Sequence, residues 1–203
     1  MKKSFGKKLY SLTEFYWIMY LAFFSVYDLI QVKKKGLLSP HFMERIMLAV
    51  TQVNGCRVCS YAHTKMALEV GMKSEEIKNI LAGVSDDIPE EEQSAILFSQ
   101  HYADSRGNPS QKTWEQVTGT YGLPKSIGIL ASIRVMMLGN VIGIPWSSFT
   151  NRLKGSPDER SNLLYEISMI LGTFLFVPIA LVHALLAKLV NQPAIKFEKM
   201  QTV

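Results

Sequence analysis

A chain of 203 residues is long enough for one compact domain and short for two. With 48% apolar and 19% charged residues, 13 glycines, 8 prolines and 2 cysteines, it is not disordered, collagen-like or a disulfide-rich secreted scaffold. The formal charge of +5 is modest, but a mean hydropathy of +0.11 is high for a soluble monomer and points to a large buried interface or to membrane contact.

The chain opens on Lys2, Lys3, Lys7 and Lys8, and a second basic cluster follows at Lys33, Lys34 and Lys35. These lysines bracket an apolar segment. They do not line a helix with amide or aromatic readers between them, so nucleic acid is not an expected partner. They read as solvated flanks, with an anionic membrane surface as the one partner they would attract. Phe15 to Tyr27, bounded by Glu14 and Asp28, is uncharged and aromatic. It lacks a small-residue cleavage site and is short for a bilayer, so it predicts a buried or interfacial helix.

Helical punctuation continues from there. Ser39-Pro40 is a cap followed by proline in the first turn, and Phe42, Ile46, Met47, Val50 and Val53 recur at helical spacing up to the turn pair Asn54-Gly55. The next helix is expected from about Cys56 to Val70, stopped by Gly71. Ser74 is placed to cap a short helix through Leu81. Asp87, Pro89 and three glutamates open another, which closes at Gly107. Ser110 caps a helix ended by Gly122, and Pro124 begins a long one towards Leu153. That helix carries Gly139 and Gly143 at a close-packing interval, and a break or kink is expected at Pro145. A last helix is expected from about Asp158 to Leu189. Within it Ile167 to Ala187 has no Asp, Glu, Lys or Arg and is long enough to cross a bilayer, although Gly172, Pro178 and His183 interrupt it. The favoured reading is a helix apolar on all sides at the centre of an oligomer, with a membrane segment as the competitor. No alternating strand pattern of useful length appears, so the fold class is all-α.

The chemically informative stretch runs from Glu44 to His63, ERIMLAVTQVNGCRVCSYAH. On a helix, Cys56, Cys59 and His63 fall within about 60° of one another. Two cysteines one turn apart lie near the separation that a disulfide permits, so the pair can open and close with little backbone movement. Cys56 sits in the expected first turn, where unpaired N–H groups favour a thiolate. His63 can take a proton from Cys59, and Glu44, folded back by the Asn54-Gly55 turn, can orient the imidazole. A redox dithiol outweighs three bland readings. These are two buried small hydrophobes, a structural disulfide whose loop is too short to constrain the chain much, and a zinc site short of a fourth ligand other than Glu44. His41, His101 and His183 have no comparable partners and read as structural.

Glu44, Cys56, Cys59 and His63 at this spacing resemble the alkylhydroperoxidase AhpD-like branch of the carboxymuconolactone decarboxylase family. The match is clearest from about Pro40 to Gly71. The resemblance implies a helical-bundle domain that assembles as a homotrimer, hexamer or similar oligomer. It divides the chain into an N-terminal aromatic, apolar helix at 1–35, an AhpD-like core at 36–156, and a long apolar helix with its tail at 157–203. It implies thiol-dependent reduction of hydroperoxides. In that scheme Cys59 is the attacking thiol, Cys56 the resolving thiol, and Glu44 and His63 the proton relay. Val58 stands where some peroxidase members carry a further histidine. The decarboxylase branch lacks the redox pair, so a lyase reaction is the alternative; a membrane-associated dithiol sensor or binding protein is another. The expected partners are a small hydroperoxide and an external dithiol or disulfide reductant. No metal or other cofactor is expected, and a cycling dithiol fits the cytoplasm.

Overall fold

Seven helices, numbered here in chain order, make up a computed structural model that describes residues 9–84, 87–195 and 197. They are α1 (Leu12–Lys34), α2 (Pro40–Asn54), α3 (Arg57–Glu69), α4 (Ser74–Ala82), α5 (Glu90–Asp104), α6 (Gln111–Leu153) and α7 (Leu163–Leu189). No strand occurs among the described residues, and the all-α fold is as expected. Lys2, Lys3, Lys7 and Lys8 lie outside the described residues.

Local chemistry sets most of the ends. Ser11 and Glu14 form a reciprocal capping box at the start of α1, with each side chain taking the other's backbone N–H. Ser39 caps α2 ahead of Pro40, and Gly55 ends it at φ +66°, where a side chain would be strained. Three boundaries differ from expectation. At α4 the N-cap is Lys73, without a side-chain hydrogen bond, and Ser74 is already helical. Glu75 and Glu76 hold the positive end of that helix instead. The last helix starts at Leu163, not near Asp158. Asp158 is occupied with Arg160, while Arg152 reaches the Ser161 carbonyl and both Glu166 oxygens, locking a polar turn ahead of the Asn162 cap. Helix α6 also continues unbroken through Pro145. Val141, Ile144, Pro145 and Ser148 are all buried there, and packing outweighs one missing ladder bond. The kink in α6 lies instead at Gly122, with φ 71° and ψ 156°.

The long α6 is the axis of the molecule and packs against α1, α2, α3, α5 and α7. On one side α2, α3, α4 and α5 form a layer. On the other lie α1 and α7, which run parallel: Tyr10, just ahead of α1, meets Tyr165 at the start of α7, and Asp28 pairs with Lys188 near their ends. The inward stripe of α7 is small, with Gly172, Ala180, Ala184 and Ala187 buried. Its outward face is large and apolar, with Leu164, Leu171, Phe174, Leu175 and Leu185 exposed in the single chain. By length and composition α1, α6 and α7 are each apolar enough to cross a membrane.

Where α1 crosses α6, Gly128 has no room for a side chain. A Cβ there would sit 2.7 Å from both methyls of Val32. Valine is stiff at χ1 and this one is buried, so it cannot swing away. Gly128→Ala should therefore destabilise the fold by about 1–3 kcal/mol, read as a lower urea midpoint with unchanged slope.

Candidate active site

The turn between α2 and α3 is held from three sides. Asn54, fully buried, accepts a 2.6 Å hydrogen bond from the Tyr10 hydroxyl. Burial keeps that hydroxyl protonated far above the ordinary tyrosine range, so it is a permanent donor. Asn54 in turn donates to the Met137 sulfur on α6. One turn back on α2, Thr51 accepts from Asn140, again on α6. Gly55 then reverses the chain and delivers Cys56 as the N-cap of α3.

Cys56 is not in the first turn but just ahead of it, and its sulfur accepts the Cys59 backbone N–H at 3.4 Å. A serine or aspartate oxygen usually occupies this capping role. The two cysteines are disulfide-bonded across a Cα–Cα distance of 5.3 Å, inside the range the bond allows. Their surroundings are unequal. Cys56 is 0% exposed, whereas Cys59 is 8% exposed and opens into a groove. The Cys59 sulfur also lies 3.5 Å from the Gly139 carbonyl, an acceptor for its proton once the bond is reduced.

Room for this arrangement comes from Gly143 on α6. A Cβ at that position would stand 2.8 Å from each sulfur and 3.0 Å from a Val58 methyl. The disulfide is thus pressed against bare helix backbone. The sequence reading marked Gly139 and Gly143 as a packing pair but did not connect them to the dithiol; their spacing was the available signal.

His63 follows Cys59 one turn on. Its Nδ1 lies 2.8 Å from Glu44 Oε2, so the antiparallel α2 brings Glu44 to the imidazole as the spacing suggests. Glu44 is buried behind the ring. With the carboxylate accepting a hydrogen bond from Nδ1–H, Nε2 is left as the free acid–base atom. His63 and Cys59 both line the groove, which holds about 660 Å³. Its other walls are apolar, including Met47, Val58, Met66, Met136 and Trp146, with Leu29 and Lys33 contributed by α1. These lining residues were not anticipated, because nothing in a lone methionine or tryptophan marks it as a groove wall. Among the described residues no three of His, Cys, Asp and Glu are grouped so as to hold a metal ion.

The other histidines are placed away from this site. His101 Nε2 accepts the Ser110 N–H. His183, read from the sequence as structural, lies 2.9 Å from the Tyr16 hydroxyl and stacks on Tyr20, because α1 and α7 run side by side.

Residues 20–95 match the model of the carboxymuconolactone decarboxylase family. This segment begins in α1, ends in α5 and contains Glu44, Cys56, Cys59 and His63, in agreement with the resemblance read from the sequence. An all-helical chain with a segment similar to this family, and within that segment a disulfide-bonded CxxC pair, is what the fold and the site define. No curated protein and no solved structure matches the chain.

Gly143→Ala should act on the sulfurs before it acts on the fold. Its Cβ crowds both of them in the bonded state, while free thiols can turn away. In a dithiol titration the variant should be reduced more readily than wild type, with its helical circular dichroism retained.

Proposed function

We infer that the chain is a thiol-dependent oxidoreductase that reduces hydroperoxides through Cys56 and Cys59. The observation that carries this reading is the unequal exposure of the two sulfurs: one opens beside the Glu44–His63 pair, and the other is sealed at the helix N-cap.

The chemistry follows from that inequality. His63 Nε2 takes the Cys59 proton and leaves a thiolate in the groove. The thiolate attacks the outer peroxide oxygen and the O–O bond breaks. The alcohol departs with the proton returned from His63, and Cys59 becomes a sulfenic acid. Cys56 then attacks the Cys59 sulfur. Water leaves, carrying the sulfenic hydroxyl and the Cys56 proton, and the disulfide forms. Two electrons have passed from the dithiol to the peroxide. An external dithiol restores the pair by attacking the sulfur it can reach, Cys59. Cys56 departs as a thiolate facing the Cys59 N–H, which makes it a good leaving group. Glu44 keeps the imidazole in the tautomer and orientation that this proton traffic needs. A reducing compartment such as the cytoplasm and self-association of the chain belong to the same reading.

The family match gives one competitor, a decarboxylase-type lyase that uses His63 and Glu44 alone. Stopped-flow peroxide consumption with each variant separates the two. Cys59→Ser should abolish turnover. Cys56→Ser should stop after one equivalent and leave a sulfenic acid that dimedone traps. His63→Gln should lower turnover by about 100-fold, with Glu44→Gln less severe. Full peroxide turnover by Cys59→Ser would overturn the redox reading. Activity on a lactone acid that survives replacement of both cysteines by serine would establish the lyase.

A further inference from the structure

A second cavity lies on the other side of α6, around Arg134. This arginine is only 3% exposed. Its Nε donates to the Tyr102 hydroxyl and its Nη1 to Ser25 Oγ, each at 3.0 Å. Both acceptors are neutral. Arg45, Arg106 and Arg152 each face a carboxylate, but no carboxylate among the described residues pairs with Arg134. Burial of a full charge without a counter-charge is costly, so the arrangement asks for a compensating anion.

Arg134 Nη2 has no hydrogen-bond partner, yet the only sealed side-chain polar atom lacking one among the described residues is Asn140 Oδ1. Nη2 is therefore not sealed, and Arg134 lines a cavity of about 590 Å³ bounded by α1, α7, the turn at Gly107 and the segment after α7. That size suits a small organic molecule. Trp17, Tyr20 and Phe24 supply aromatic walls, and His183 stacks on Tyr20 with ring centroids 4.2 Å apart. Among the described residues no Asp or Glu lines the space. The nearby Lys188 and Arg106 are already paired with Asp28 and Glu14, so Arg134 is the uncompensated charge. None of its lining residues is shared with the groove at Cys59.

We propose that this cavity is a binding site for a small amphiphilic carboxylate, held by its carboxylate on the Arg134 guanidinium and by a flat apolar body against Trp17, Tyr20 and Phe24. The free Nη2 can donate a charge-assisted hydrogen bond to a carboxylate, and aromatic walls favour a ring or other planar body. Site and ligand are independent of the dithiol chemistry.

Isothermal titration of the full chain with 3-phenylpropionate, and with its neutral amide as control, tests the proposal. The acid should bind with 1:1 stoichiometry, and the amide should bind at least ~10-fold more weakly. Trp17→Ala, a half-exposed position, should weaken the acid by about 2- to 10-fold. Arg134→Gln should remove the preference for acid over amide. Because Arg134→Gln could unfold the chain, the amide control and Trp17→Ala carry the test without it. No binding of the acid, equal binding of acid and amide, or no effect of Trp17→Ala would each overturn the proposal.

Discussion

The site depends on a missing side chain. Because position 143 has only hydrogen at its α-carbon, α6 can press its backbone against both sulfurs and leave Cys59 one open side. The neighbouring contacts fit that approach. Asn140 reaches Thr51, Met137 receives Asn54, and Gly139 turns its carbonyl to Cys59. One face of one helix thus fixes the α2–α3 turn, the dithiol and the floor of the groove together.

The two cysteines have the same chemistry but different electrostatic settings. Cys56 occupies a capping position, where helix N–H groups favour a negative sulfur. Cys59 has the groove and the imidazole side. A sequence argument from the helix dipole makes Cys56 the more acidic thiol, while one from neighbours makes Cys59 the reactive one. In the structure the capping position and the groove belong to different sulfurs.

Much of this was legible in the chain. The spacing of Glu44, Cys56, Cys59 and His63 is local, and helical periodicity carries it into three dimensions across a single glycine turn. Ser39-Pro40, Asn54-Gly55 and Gly122 marked their boundaries because each imposes a specific backbone geometry. Pro145 and Ser74 misled, since packing and neighbouring acids override a local preference. The groove walls from α1 and α6, and the setting of Arg134, were not legible. They depend on which helix lies beside which, and a run of apolar residues does not name its neighbour. The partner of His183 was hidden for the same reason: Tyr16 is 167 residues away.

The first helix has more bearing on the dithiol than its distance in sequence suggests. Leu29 and Lys33 wall the groove, and Tyr10, just ahead of α1, latches the turn that presents Cys56. Residues 9–35 are thus part of the scaffold of the CxxC pair and not an appendage to it. A minimal version trimmed to the residues around the CxxC motif would keep every reactive atom and lose both the latch and a wall.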